Sequence, residues 1–234
     1  MNDVTDSAGL ALGLILHADP ALTQIVGLSL AVSLGAVLLA GLIGLPLGAA
    51  IALLRFPGRG VVVVFLNACM GLPPVVVGLA IYLTLSRAGP LGSLGLLFTP
   101  TAMIIAQTAL VLPIVAALTR QVVTDLWTEY AEQLSSLGVT PLRAAPTLLW
   151  DGRLSLVTAL MAGFGRAIAE VGAVMIVGGN IAGVTRTMTT AIALETSKGD
   201  LALALALGLV LLLLVLAVNA VASALGAMAK RFGE

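Results

Sequence analysis

The stretch YAEQLSSLGVTPLRAAPTLLWDGR, residues 130–153, is a polar interruption in an apolar chain. It carries Glu132, Arg143, Asp151 and Arg153, with Gln133, Ser135 and Ser136 among them, in a sequence that is 60% hydrophobic and 9% charged. The mean hydropathy is +1.16, too high for a soluble domain, which is roughly half apolar and a quarter charged. The natural solvent of such a chain is a bilayer. Outward from the polar stretch the sequence divides into five apolar segments, at 22–54, 61–85, 101–119, 154–179 and 201–227. Each reaches about the 20 residues that a crossing needs. The runs are continuous rather than alternating, so strands are excluded and the fold class is an all-α integral membrane protein. The first segment is longer than a bilayer requires and contains Pro46 with several glycines, so a tilt or a break is expected there.

Lysine and arginine set the orientation. Arg55, Arg59, Arg120, Arg143, Arg153, Lys230 and Arg231 fall on one side, seven in all, against Arg87, Arg186 and Lys198 on the other. Arg166 lies within a segment. The seven-residue side is therefore read as cytoplasmic, the N-terminus as outside and the C-terminus as inside, in a plasma (inner) membrane. The N-terminus has Asp3, Asp6 and Asp19 but no basic residue before its apolar run, which argues against a cleaved signal peptide. The run 8–16 is too short to cross and reads as an interfacial helix. The expected organisation is an external segment 1–21, a transmembrane domain 22–229 and a cytoplasmic tail 230–234. The net charge is zero, so nothing points to nucleic acid, and the single cysteine, Cys69, allows no intramolecular disulfide.

The polar stretch then lies in the largest cytoplasmic loop. Its first half reads as a short helix, with Thr128 as N-cap, Glu129 and Glu132 in the opening turns, Gly138 at the end and Pro141 blocking continuation. Such a helix either offers a polar surface to a cytoplasmic partner or simply lies along the membrane. Within the segments, FGRAIAEVG places Arg166 and Glu170 four apart on one helix face. Charges at that depth pair or face water, as a gate or as a structural pair. Pro73 and Pro74 break the second segment and free carbonyls near Cys69 and Met70. They mark either a pathway-lining break or an ordinary kink, and Pro113 carries the same ambiguity. Asn67 and Gln107 read as interhelical hydrogen-bonding residues. His17 is alone, so no metal site is expected, and the scattered methionines read as packing.

The loop resembles the E-A-A-x-x-x-G loop of permease subunits of binding-protein-dependent ABC importers. Glu132 and Gly138 match, Gln133 and Leu134 replace the two alanines, and LLWDGR stands where that family has a hydrophobic-proline ending. The stretches GLPPVVVGL (71–79), SRAGPLGSLGLLFTPTAMIIAQ (86–107) and GFGRAIAEVGAVMIVGGNIAGVTRTMTTAIALETSKGD (163–200) are similar to the permeases of tungstate importers, close relatives of the molybdate permeases. The resemblance implies a type I importer permease with a five-helix core that works as a homodimer. It implies a coupling helix at Glu132, Gln133, Ser136 and Gly138 that docks on an ATP-binding subunit, and an extracytoplasmic oxoanion-binding protein as a further partner. ATP and Mg would be bound by the ATP-binding subunit. This chain has no P-loop, since neither Lys198 nor Lys230 follows a glycine, and no cofactor of its own is expected. Thr185, Arg186, Thr187, Thr189 and Thr190, read as an external loop, offer hydroxyl donors for a tetrahedral oxyanion or simply cap a helix. Molybdate or sulfate is an alternative cargo. An ion-coupled secondary transporter using Arg166 and Glu170, and a non-transporting scaffold, are the rival classes.

Overall fold

The computed structural model describes Gly13, Leu16, His17 and residues 19–232, the last eight of these for backbone only. The interfacial helix expected at 8–16 and the end of the 230–234 tail lie outside the described residues. Described elements are helical or loop, with no strand among them. In chain order they are α1 (Pro20–Leu53), α2 (Arg59–Met70), α3 (Pro74–Leu85), a 3-10 turn (Gly92–Leu94), α4 (Pro100–Ser136), α5 (Pro141–Asp151), α6 (Arg153–Ile168), α7 (Gly172–Gly178), α8 (Met188–Lys198) and α9 (Leu201–Phe232).

Three helices, α1, α4 and α9, are long and apolar enough to cross a membrane alone. The count reaches five only if the bent pairs α2 with α3 and α6 with α7 each form one span. The second expected segment is thus broken at GLPP, as its prolines require. Pro73 is the N-cap of α3 and Pro74 its first residue, where a missing N–H costs nothing. The Cys69 carbonyl is not left free, because Leu72 N–H donates to it at 3.3 Å and Gly71 N–H to the Ala68 carbonyl at 3.0 Å.

Other expectations need correction. Of the tilt or break expected near Pro46, the break is absent: the helix α1 runs through that residue. The third segment does not stop near residue 119. It continues to Ser136 through Pro113, so Arg120 is a helix residue and not a loop residue. Thr128 is no N-cap: it sits inside α4, and its hydroxyl donates to the Thr124 carbonyl at 2.8 Å. Pro141 does not merely block a helix but opens α5, with extended Thr140 as its N-cap.

The chain forms two compact units, one of Met1–Gly35, Pro73–Gln107 and Ala167–Ala217, the other of Ala36–Leu72, Thr108–Arg166 and Val218–Glu234. In the first, α3 and α7 are in backbone contact. A Cβ on Gly78 would come within 2.7 Å of the Ala173 Cα, and one on Gly172 within 2.9 Å of Val75 Cγ2. In the second, α1 lies against α4, where a Cβ on Gly48 would reach 2.5 Å from the Ala116 carbonyl oxygen. Small residues let helix backbones approach closely where lipid offers no hydrophobic drive for association. The end of α1 is closed by Arg59, whose guanidinium donates to the Ile51 carbonyl at 2.7 Å and the Ala52 carbonyl at 2.9 Å, satisfying two acceptors orphaned at a helix C-terminus.

Candidate functional site

Two places carry the residues singled out above. The first is the end of α4. Gly138 has φ +73°, a left-handed conformation that favours glycine. Gly138 N–H donates to the Ser135 carbonyl and Val139 N–H to the Leu134 carbonyl, both at 3.0 Å. These are the two bonds of a Schellman cap, and Val139 and Leu134 pack against the same apolar cluster, as that motif favours. Glu132, Gln133, Ser136 and Gly138 are all exposed there. The structure thus brings the four expected coupling residues together, on the last turns of a long helix and its cap.

The following helix, α5, was not anticipated. Ala144 and Leu148, one turn apart, are its buried face and pack on Ala49, Ala52, Leu53 and Val123. Gly152 turns the chain tightly into α6, because a Cβ there would meet Val122 Cγ1 at 2.8 Å. The other face is open, with Leu142 54% and Trp150 72% exposed, and Leu137 beside it 77% exposed. Arg153 lies over the Trp150 ring at 5.2 Å, a cation–π contact. A fixed helix showing apolar and basic groups is suited to docking in a partner's cleft. The readable signal was Thr140-Pro141, an N-cap followed by a first-turn proline.

The second place is the break in the fourth expected segment. Arg166 is in the last turn of α6, but Glu170 lies beyond that helix's end at Ile168. The two therefore do not lie on one continuous helix, as four-residue spacing suggested. Glu170 is buried and caps the next helix: its Oε1 accepts the Ala173 N–H at 3.2 Å, one of the N–H groups left over where α7 begins. Its carbonyl accepts the Thr189 hydroxyl at 2.7 Å. Through the contact of Gly172 with Val75, the start of α3 at Pro73 and Pro74 meets this same break. Two interruptions far apart in sequence therefore meet in the first unit.

Of the threonines read as an external loop, Thr189 and Thr190 lie in α8. Thr185, Thr187, Thr189 and Thr190 are all buried. Thr185 donates to the Gly178 carbonyl at 2.6 Å and accepts the Ile181 N–H at 2.9 Å. Thr187 and Thr190 form a capping box at the start of α8. Ser29 of α1 accepts the Met188 N–H at 2.8 Å. The hydroxyls are engaged in holding α8 and the break in place rather than presented to a ligand. Arg186 is 3.7 Å from Glu195, which also accepts from Lys198 at 3.1 Å. Gln107, read as an interhelical hydrogen-bonding residue, donates to the Ala167 carbonyl at 3.0 Å, whereas Asn67 is exposed.

The family model for binding-protein-dependent transport system inner membrane components matches residues 44–230. A probable anion ABC transporter permease protein of Haloferax volcanii is 44% identical over 185 residues, covering 77% of this chain and 80% of that one. The tungstate uptake system permease protein TupB of Peptoclostridium acidaminophilum is 40% identical over 225 residues, covering 96% and 99%. The molybdenum transport system permease protein ModB of Azotobacter vinelandii is 29% identical over 169 residues, covering 64% and 70%. Because the matched region takes in α2 to α8 entire, with both breaks and the capped end of α4, the chain belongs to the binding-protein-dependent transport system inner membrane components.

Proposed function

We propose that this chain is the tungstate-conducting permease subunit of an ATP-driven importer. Two copies would form the pathway, a separate subunit would bind ATP and Mg, and an extracytoplasmic binding protein would deliver the oxoanion. The observation that carries the cargo reading is the similarity to a tungstate permease along 96% of this chain. The capped end of α4 and the open face of α5 support the coupling reading. They form a rigid, exposed surface suited to a nucleotide-driven partner, and this chain has no P-loop of its own. In the proposed topology the N-terminus is outside and the C-terminus cytoplasmic, which places α5 on the cytoplasmic face.

The test is reconstitution of the chain with its ATP-binding subunit and binding protein in liposomes. ATP hydrolysis and anion uptake are measured with tungstate, molybdate and sulfate. Tungstate should stimulate hydrolysis and accumulate at the lowest concentration. Uptake driven by an ion gradient without ATP would instead establish a secondary transporter. Equal preference for molybdate or sulfate would reassign the cargo.

A further inference from the structure

The motif SRAGPLGSLGLLFTP folds into a built concavity that none of the roles above uses. The loop between α3 and α4 is braced by its own backbone. Gly89 N–H donates to the Ser86 carbonyl at 2.7 Å and Leu91 N–H to the Thr84 carbonyl at 3.0 Å. Gly89 and Gly92 are packed so closely that a Cβ would collide with the Leu83 carbonyl oxygen at the first and with that of Ser86 at the second. Phe98 is held at φ +61°, a left-handed conformation unusual for a bulky residue. Its N–H donates to the Val177 carbonyl at 2.9 Å. Backbone strain of this kind persists only where the surroundings fix it, and it gathers at binding sites. Phe98 meets Tyr82 edge to face, with ring centroids 6.3 Å apart.

Tyr82, Ser86, Arg87, Gly92, Gly95 and Phe98 line a cavity of about 530 Å³. The Ser86 hydroxyl donates to the Leu83 carbonyl at 3.1 Å, so the cavity's cationic group is Arg87. Arg87 is exposed, and among the described residues it makes no ion pair. The sequence contains no Asp or Glu between Asp19 and Asp125. The other described acids of this unit are engaged. Asp19 caps α1 through Ala21 and Leu22, Glu170 accepts the Ala173 N–H, Glu195 is held by Arg186 and Lys198, and Asp200 accepts the Leu203 N–H. The guanidinium fork is built for bidentate carboxylate recognition, and here it stands beside an aromatic wall.

We propose that this cavity is the socket for an acidic side chain of the extracytoplasmic binding protein, with Arg87 as its anchor. The proposal rests on the permease reading and on the external placement of this loop. A five-atom oxoanion would leave most of the cavity empty, whereas an Asp or Glu with its flanking residues fills a site of this class, about 300–1,000 Å³. A preformed concavity lowers the cost of binding, because its loop needs no further ordering. Arginine and tyrosine are also the residues that most often dominate protein interfaces.

The experiment uses the full complex in zwitterionic lipid nanodiscs, with its tungstate-loaded binding protein as probe. Docking affinity and stimulated ATP hydrolysis are measured for Arg87→Gln, Arg87→Glu and Arg87→Lys. Docking should weaken about tenfold for Arg87→Gln and further for Arg87→Glu, with a smaller loss for Arg87→Lys. Unstimulated hydrolysis should stay unchanged, which shows that the complex is assembled. An Asp or Glu to Lys change in the binding protein should restore docking to Arg87→Glu alone. Unchanged docking of Arg87→Glu overturns the socket. So does an effect of these variants that appears only with anionic lipid, which would make a headgroup the ligand. Failure of the wild-type complex to respond to any binding protein would defeat the permease reading itself, a separate result.

Discussion

At Gly138 the backbone needs φ +73°, and the space around it is open, so a side chain there is opposed by conformation and not by crowding. A left-handed conformation costs an L-residue about 1–2 kcal/mol, and asparagine tolerates it best. Stimulated ATP hydrolysis in the assembled complex should therefore fall in the order Gly138, Asn, Ala, Val, while membrane insertion persists. Equal stimulation across the series would remove Gly138 from coupling. Glu132→Ala should act in the same direction but weakly, since one exposed charge contributes about 1 kcal/mol or less. Glu170 gives a sharper contrast. Glu170→Gln keeps an oxygen for the Ala173 N–H, whereas Glu170→Ala leaves that buried donor unpaired, at a cost of about 1–3 kcal/mol. Thermal unfolding in detergent should rank Gln well above Ala. Uptake then reports function: a Gln variant that folds but does not transport has lost the charge, not the cap.

Among the helices, α1 tests whether its glycines serve close packing. A methyl group on Gly48 would lie 2.5 Å from the Ala116 carbonyl, whereas one on Gly27 meets nothing within 4 Å. Gly48→Ala should lower stability by about 1–3 kcal/mol, and Gly27→Ala should cause no loss, as alanine is the better helix former. Two equal melting curves would mean that α1 and α4 do not need this contact. The same scale shows what could be read from the sequence. The ends of α1, the break at Pro73 and Pro74, and the stop at Gly138 were legible, because apolar length, proline and glycine act locally. The extension of α4 was not, since the outer turns of a helix that leaves its apolar run have a loop's composition. No breaker stands between Pro113 and Gly138 to mark the difference. Pro141 misled for a related reason: proline opens a helix at its first position and ends one elsewhere, and only the following residues tell which. The break at Glu170 has no proline at all. It is set by hydrogen bonds to Ala173 and Thr189, and the Thr189 bond spans 19 residues, a distance no local pattern encodes.

For the molecule as a whole, the proposed topology places residues 59, 153 and 231 inside and 87 and 198 outside. Reporter fusions at these positions should alternate accordingly, and a cytoplasmic signal after Lys198 would mean that α6 with α7 does not cross. The chain's own burial also differs among its long helices. The most apolar window of α4 is 56% buried within the chain, that of α9 only 17%, so α9 should be the helix most open to lipid. Labelling by a membrane-soluble reagent should be strongest along α9.

The length of α4 has a mechanical consequence. Its 37 residues amount to about 55 Å of helix at 1.5 Å per residue. A hydrocarbon core is about 30 Å thick, so with the helix along the bilayer normal roughly 25 Å would project beyond it. Under the proposed coupling role, the projecting part would be a lever arm with Gly138 near its tip. A tilt of about 5° would sweep the tip through roughly 2 Å over that arm, enough to unseat a side chain from a cleft. Small rotations in the bilayer would then become larger displacements at the face proposed for the motor subunit, and the give of the helix at Pro113 would set how faithfully force passes in either direction.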